Sequence, residues 1–313
     1  MACPTQNYCM KKQFIRAIFL PAFLLFNLLL QAQSQSGTDS TGLPGDQFSL
    51  QGALQLFKEA TSIEEFEKAI NNDGNHVNNL DLNEDGNTDY ITVIDKSEKE
   101  VHAFVLRALV SENESQDIAV IELEKTGKES ALIQILGDED IYGEQVIVEP
   151  VDEKEQARFD FINNSNNSGP SAQFDDYAPG IVINVWFWPS VRFVYGPVYR
   201  PWISPIRWAF YPAWWKPWRP LGWAVWHPFR VRFHPRYSIV STHRVVVAHR
   251  VYTPFRTSSV TVRTRHSTAV GNYRVTRKRT TVTGPAGNKT TFRRTTVKGP
   301  NGGRATRVKV RRH

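Results

Sequence analysis

The sequence predicts a small acidic α+β domain over residues 48–151, in which two helices pack on an antiparallel sheet. An irregular Trp/Pro-rich segment and a basic tail, either hairpin-like or disordered, are predicted to follow it. Three observations support this architecture. The charges are segregated along the chain, five Val/Ile/Leu-rich segments are separated by short polar turns, and all nine tryptophans lie between Trp186 and Trp226.

The charges divide the chain into two halves of opposite sign. All 31 acidic residues lie between Asp39 and Asp176, and residues 35–180 carry only nine Lys or Arg. Residues 181–313 carry 26 Lys or Arg, 21 of them Arg, and no acidic residue. Asymmetry of this size indicates a function in binding, to a polyanion, to a membrane surface, or of one half to the other.

Residues 1–34 have the pattern of an export signal. A positive region at residues 11–16 precedes an apolar run at residues 17–30, and residues 32–34 supply small side chains before the expected cleavage site. The alternative is an uncleaved membrane anchor, although a run of about 14 residues is shorter than the roughly 20 that span a bilayer. The pattern predicts export to the periplasm, the outer envelope or the medium.

The two cysteines, Cys3 and Cys9, both precede the apolar run. Removal of the signal would leave a mature chain without a thiol, which excludes disulfides, thiolate zinc sites and cysteine nucleophiles. We therefore expect core packing, a metal or partners to hold the exported protein together.

Two helices are predicted at the start of the acidic domain, after a flexible lead at residues 35–47 that is rich in Ser, Gly, Thr and Asp. Apolar residues at helical spacing over residues 48–57 predict the first helix. Ser62 and Glu65 fit a capping box that begins the second helix, and turn-forming residues 71–75 end it.

Five segments rich in Val, Ile and Leu predict strands. They are Tyr90–Asp95, Val101–Leu109, Ile118–Leu123, Ala131–Leu136 and Gln145–Val148. The short turns between them favour an antiparallel meander with both helices on one face. Surplus acidic residues, such as Glu122 and Glu124, are then expected at turns and on outward strand positions. A further acidic cluster over residues 138–144 matches no ligand spacing and is expected to form a solvated loop.

One motif, DLNEDGNTD over residues 81–89, carries metal-binding chemistry. Oxygen ligands recur at positions 1, 3, 5 and 9, glycine occupies position 6, and position 7 would supply its backbone carbonyl. The candidate calcium ligands are Asp81, Asn83, Asp85, Asn87 and Asp89. The alternative interpretation is a simple turn, since Asp, Asn and Gly are favoured in turns.

This motif resembles the calcium loops of EF-hand and dockerin proteins, and the D-x-D-x-D-G loops that lead into strands in exported repeat proteins. An EF-hand has Glu at position 12, where this chain has Thr92, and the segment that follows the motif is predicted as a strand. The resemblance therefore implies a strand-leading loop of weak affinity, suited to high extracellular calcium.

Signatures of common enzyme classes are missing from the sequence, among them H-E-x-x-H, G-x-S-x-G and a phosphate-binding glycine loop. His102 lies within a predicted strand, where a structural role is expected. A carboxylate pair for glycoside hydrolysis stays open because acidic residues abound, but nothing in the sequence selects a pair.

Residues 152–180 are predicted to form a low-complexity linker. Residues 181–228 then form a Trp/Pro/Arg-rich segment, in which the density of proline forbids a long helix or a central strand. Three interpretations stay open for this segment. It is an interfacial patch on an anionic membrane, a platform that stacks on sugars or bases, or a compact module of stacked Trp, Pro and Arg.

Residues 229–313 form the predicted basic tail, which ends in a 15-residue repeat (280–294 and 295–309) with a Gly-Pro-x-Gly turn in each copy. The repeat predicts hairpins, but it has too few large apolar residues to bury a core. Arginine dominates the basic residues and binds phosphate and carboxylate in a bidentate manner. The candidate surface and polyanion-binding residues are Trp186, Trp188, Arg192, Arg200, Trp202, Arg207, Trp214, Trp215, Lys216, Trp218, Arg219, Arg277, Lys278 and Arg279.

Among the six histidines of the basic half, four lie between residues 227 and 249: His227, His234, His243 and His249. Their spacing is irregular and no carboxylate is near them in the sequence. We therefore expect them to add positive charge at low pH rather than to bind a metal.

The chain resembles exported proteins of Gram-negative bacteria that join a small α+β domain, carrying a D-x-N-x-D-G loop, to a Trp/Pro/Arg-rich segment and a basic Gly-Pro repeat tail. The resemblance implies an envelope or secreted location and brings no activity with it. The sequence thus predicts a non-catalytic protein with a calcium-stabilised acidic domain and a cationic aromatic half. Anionic envelope lipid or glycan, extracellular nucleic acid, a peripheral membrane surface and self-association are the expected partners. A carbohydrate-active or carbohydrate-binding protein and a self-assembling scaffold remain the alternatives.

Overall fold

A six-stranded antiparallel sheet lies at the centre of the computed structural model, and its strands pair in chain order as a meander. The strands are β1 (Ile91–Glu98), β2 (Val101–Leu109), β3 (Ser115–Gly127), β4 (Ser130–Gly137), β5 (Val146–Pro150) and β6 (Tyr237–Val240). The structure describes residues 40–152 and 183–272 and, beyond them, three strands of the tail. The predicted signal peptide, residues 35–39 of the predicted lead and nearly all of the predicted linker lie outside the described residues. The rest of the lead was wrongly predicted as flexible, because Pro44–Gln47 form a short 3-10 helix and Leu43 and Asp46 are buried.

Seven α-helices accompany the sheet in the described part of the chain, so the fold is mixed α+β as predicted. They are α1 (Leu50–Glu59), α2 (Ile63–Ile70), α3 (Glu139–Tyr142), α4 (Pro189–Val194), α5 (Trp223–Val231), α6 (Val246–Tyr252) and α7 (Val260–Asn272). Across residues 40–152 and 183–272, no helix is both long enough and apolar enough to cross a membrane.

Side-chain caps begin the first two helices. The Ser49 hydroxyl accepts a hydrogen bond from the Gly52 amide at 3.0 Å, one turn into α1. The Ser62 hydroxyl accepts from the Glu65 amide at 3.1 Å, and the Glu65 carboxylate accepts from the Thr61 amide at 2.8 Å. The two residues predicted to form a capping box therefore begin α2, where such a cap contributes about 1 kcal/mol.

One face of the sheet packs against α1, α2 and α4, and this layer contains the main core. Phe57 of α1 lies at its centre, with ring centroids 5.2 Å from both Phe66 of α2 and Phe104 of β2. All three rings are fully buried. Burial of each large apolar side chain contributes roughly 1.5–3 kcal/mol, so this layer alone can hold the two helices on the sheet.

The opposite face of the sheet is covered by α6, which belongs to the basic half of the chain. Tyr252 of α6 packs on Val105 and Val120 in a second apolar cluster. Acidic residues alternate with these apolar residues along the strands, and Glu122 is fully buried among them. The acidic residues expected at outward strand positions do lie on the sheet face that points away from the main core. That face is covered by α6 and is not exposed to solvent.

The basic half also supplies the edge strand β6, which pairs with β5 from Ile147↔Val240 to Pro150↔Tyr237. The acidic domain delimited from the sequence as residues 48–151 thus lacks the sixth strand of its own sheet. The described residues from Ser40 onward belong to one compact unit. Pairing with β6 gives the outer backbone groups of β5 their hydrogen-bond partners, and the short strand β6 becomes the edge of the sheet.

The tail carries a second antiparallel sheet, in the order β7 (Arg274–Thr283), β8 (Lys289–Lys298) and β9 (Arg304–Arg312). The candidate residues Arg277, Lys278 and Arg279 lie on β7, opposite residues 293–295 of β8. The Gly-Pro-x-Gly turns predicted between these strands lie outside the described residues.

Candidate functional site

The loop over residues 81–89 leads into β1 and is closed by hydrogen bonds to its own carboxylates. The amides of Asp85 and Gly86 donate to Asp81 at 3.0 and 2.9 Å, and the Asn87 amide donates to Asp85 at 2.8 Å. Gly86 has a φ of 83°, a left-handed conformation that glycine adopts without strain. The left-handed backbone at position 6 of the loop therefore explains why glycine occupies it.

Asp89 is the buried member of this loop, and its carboxylate accepts a hydrogen bond from the Leu82 amide at 2.6 Å. Burial, together with the nearby charges of Asp81 and Asp85, raises the pKa of Asp89 to about 8. The ligand atoms of Asp81, Asp85 and Asp89 do not all lie within 4.8 Å of one another, so the structure does not gather the three carboxylates at one point. Asn83 lies beside Asp85, to which its amide donates at 3.1 Å.

The inner side of the Trp/Pro/Arg-rich segment is fixed to the acidic domain by Glu67 of α2. The two oxygens of this buried carboxylate accept four hydrogen bonds, from the Tyr90 hydroxyl, the Val93 amide, the Trp202 indole and the Ser204 hydroxyl, at 2.7–3.2 Å. Burial raises the pKa of Glu67, and these hydrogen bonds oppose the rise. The indole and hydroxyl bonds join the segment to the acidic domain.

The candidate surface residues of this segment separate into an inner and an outer set. Trp188 and Trp215 are buried, and they pack against α1 and Tyr90 respectively. This corrects their expected place on the surface, because a core indole cannot stack on an external polymer. Half-buried residues are Trp186, Trp202 and Trp218, and exposed residues are Arg192, Arg200, Arg207, Trp214, Lys216 and Arg219.

A row of buried carboxylates lies on the sheet face that α6 covers, and the basic half supplies most of its partners. Asp117 accepts hydrogen bonds from Arg107 at 2.6 Å, from the Tyr252 hydroxyl at 3.0 Å and from the Thr257 amide at 2.8 Å. Glu149 accepts from Arg244 at 3.1 Å. Charge pairing of this kind requires each partner to be present, because an unpaired buried charge is costly.

Asp138 belongs to the acidic cluster expected to be a solvated loop, and the structure corrects that expectation. Its side chain is almost fully buried and forms a bidentate pair with Arg256 at 2.6 and 2.9 Å. Burial raises the pKa of Asp138, and Arg256 opposes the rise. The same arginine also contacts Asp140 at 3.0 Å.

Glu122, His243 and His249 form a cluster that the sequence did not predict. His243 Nε2 lies 2.6 Å from one Glu122 oxygen, and His249 Nδ1 lies 2.7 Å from the other. The pKa of His243 is raised chiefly by its hydrogen bond with Glu122. One possible ligand atom from each of the three side chains lies within 4.8 Å of the other two. Within the described residues, no other set of three His, Cys, Asp or Glu side chains meets this distance.

The expectation that these histidines lack carboxylates was therefore wrong. Glu122 is separated from His243 by 121 residues, so no local spacing could reveal the pair. The available signal was indirect: Glu122 alternates with apolar residues on a predicted strand, and a covered face would leave it needing a cationic partner.

Comparison of the chain with protein-family models, with curated proteins and with solved structures finds no match.

Replacing Arg256 tests the charge pairing between the two halves. We expect Arg256→Ala to lower the free energy of unfolding at neutral pH by about 2–3 kcal/mol, because Asp138 is left buried without its cation; the partial exposure of the arginine reduces the full effect. Loss of the arginine also raises the pKa of folded Asp138 further. A carboxyl whose folded pKa exceeds its unfolded value of about 4 loses stability as pH rises between the two values.

The deficit of Arg256→Ala relative to the wild type should consequently be smallest near pH 4 and should grow as pH rises. Urea unfolding at several pH values measures it. Arg250→Ala is the matched control, since Arg250 is exposed on α6 and makes no ion pair with a described residue. An equal loss in both variants, or a deficit that grows toward low pH, would contradict the pairing.

Proposed function

We propose that this is a non-catalytic, envelope-associated or secreted protein that attaches to anionic surfaces or polymers through the outer part of its Trp/Pro/Arg-rich segment. The observation that carries the proposal is a patch of exposed cations and exposed apolar rings on a rigidly held segment. We name it the outer patch, and it consists of Arg207, Phe210, Trp214, Lys216 and Arg219.

The outer patch combines two kinds of side chain that bind an anionic interface. Phe210 is 77% exposed and Trp214 is 48% exposed, which is unusual for large aromatic residues. Arg207 and Arg219 make no ion pair with a described residue and are free to contact phosphate or carboxylate groups. Indoles at headgroup depth and guanidinium groups on phosphate are the pattern expected of a peripheral membrane contact.

The inner residues of the same segment support the proposal by holding the patch in place. Trp202 donates to buried Glu67, and the Trp218 carbonyl accepts hydrogen bonds from the amide and hydroxyl of Thr88 at 2.8 and 2.9 Å. These contacts lie on both sides of Phe210 and Trp214. A held loop loses less conformational freedom on binding than a disordered one, so its affinity is higher.

The export signal predicted for residues 1–34 supports an envelope or extracellular location, where the anionic partner would be lipid, glycan or nucleic acid. A self-assembling scaffold through acidic–basic pairing is less favoured. Several of the carboxylates it would use, such as Asp138 and Glu149, already pair with arginines of the same chain. Exchange with another copy would require these contacts to open first.

Calcium binding at residues 81–89 is the second part of the proposal. The spacing of oxygen-bearing side chains along the loop, with glycine at position 6, supports a bound cation, and oxygen-only ligands favour calcium over softer metals. The role proposed for the ion is to stabilise the turn that leads into β1.

Binding to lipid vesicles tests the outer patch. We expect the chain to co-sediment with vesicles of anionic phosphatidylglycerol and not with zwitterionic phosphatidylcholine, and to be released by high salt. Arg207→Ala/Arg219→Ala should weaken binding by about tenfold, since each surface cation contributes about 1 kcal/mol or less.

The matched control is Lys68→Ala/Lys128→Ala, which removes the same charge from exposed positions of the acidic half. Equal weakening in the control would show attraction by net charge alone, without a patch. Binding that is unchanged by salt, or that is equal for both lipids, would refute the electrostatic attachment.

Thermal unfolding with and without calcium tests the loop. At a calcium concentration one hundred times the dissociation constant, we expect stabilisation of about 2.7 kcal/mol and a rise in Tm. Asp81→Asn should abolish the rise, whereas Asp73→Asn, at an exposed turn position outside the loop, should keep it. A rise that persists in Asp81→Asn would assign the calcium effect to another site.

A further inference from the structure

The cluster of Glu122, His243 and His249 brings both halves of the chain to one point. Glu122 lies on β3, His249 lies on α6, and His243 lies just before α6. Each oxygen of the glutamate faces one imidazole nitrogen, at 2.6 and 2.7 Å. The two rings are nearly perpendicular, with centroids 4.7 Å apart.

The backbone around the two histidines is held against the sheet by neighbouring strand residues. Glu124, two residues after Glu122 on the same face of β3, accepts hydrogen bonds from the Val247 and Ala248 amides at 2.6 and 2.8 Å. Gln134 of β4 pairs opposite Glu122 and accepts from the Arg244 amide at 2.7 Å. The ligand atoms are therefore positioned by contacts other than their own, as binding sites require.

We propose that Glu122, His243 and His249 bind a divalent transition metal of the zinc class, which clamps the basic half onto the sheet. Two imidazoles and one carboxylate form a set of three ligands that zinc accepts in proteins, with a fourth position left for water or another ligand. The set is softer than the oxygen-only loop at residues 81–89, so the two sites select different metals.

One ligand atom from each of the three residues lies within 4.8 Å of the other two, so shifts of the side chains would bring them to the spacing of a metal site. Zinc lies about 2.0–2.1 Å from its nitrogen and oxygen ligands, which separates ligands of a tetrahedral site by about 3.3 Å. The present separations of 2.6 and 2.7 Å would each open by less than about 1 Å. The hydrogens now shared between the imidazoles and the carboxylate would leave to solvent, as metal binding normally releases protons.

The site is closed on one side and open on the other. The Glu122 side chain is fully buried, whereas the side chains of His243 and His249 are 21% and 33% exposed. The ion would therefore enter from the histidine side, and the fourth position would face solvent. His243 also contacts the backbone of Val245, the kind of supporting contact that orients metal-binding imidazoles.

Titration of the chelator-treated chain with zinc chloride, followed by isothermal calorimetry, tests the proposal. We expect one zinc ion per chain, and the cobalt(II) form should give an absorption spectrum of nitrogen and oxygen ligation. His249→Gln and Glu122→Gln should each weaken zinc binding at least about tenfold. His76→Gln, which replaces a histidine stacked on Phe229 outside the cluster, is the matched control and should bind zinc normally.

The His249→Gln variant is expected to keep its fold, because His249 is the most exposed of the three ligands. The circular dichroism spectrum of this variant should therefore match that of the wild type. Asp81→Asn should leave zinc binding unchanged, which distinguishes this site from the calcium loop. Absence of zinc binding in the wild type, or equal affinity in His249→Gln and the wild type, would overturn the proposal.

Discussion

The structure depends on one constraint: carboxylates on the covered face of the central sheet must have cationic partners, and the acidic half does not supply enough of them. Glu122 and Glu149 are buried there, Asp138 is buried just after β4, and the partners of all three come from residues 243–256. Removing a buried charge from water costs several kcal/mol unless it is paired and hydrogen-bonded. Folding therefore brings the two oppositely charged halves together, so that cations of the basic half pair with buried carboxylates of the acidic half.

Covering this face also explains why the basic half adopts its local structure. Residues 246–252 contain Val246, Val247 and Ala248 at the start of a helix, and Glu124 accepts the hydrogen bonds of two of their amides. Tyr252 then completes the apolar cluster and donates its hydroxyl to Asp117. The first turn of α6 thus provides hydrogen-bond donors to a strand carboxylate, and its last turn provides an apolar ring that packs on the strands.

The local parts of the fold could be predicted from the sequence. Alternation and turn chemistry predicted five strands and their order, and Ser62 with Glu65 predicted the start of α2. The parts of the fold that depend on contacts between distant residues could not be predicted. These are the pairing of β6, the burial of Trp188 and Trp215, and the partners of Glu122. In each case the residues in contact are more than 30 positions apart in the chain. Charge asymmetry did point to pairing between the halves, but it carries no information on which residues meet.

This account divides the basic half into an inner part that completes the fold and an outer part that remains for partners. The most direct test follows urea unfolding with two probes. All nine tryptophans lie between residues 186 and 226, so tryptophan fluorescence reports on the basic half alone, and hydrogen exchange of the β3 amides reports on the acidic half. A common midpoint is predicted, because the two halves share one cooperative unit. Loss of the buried-tryptophan signal at lower urea, with the β3 amides still protected, would contradict it.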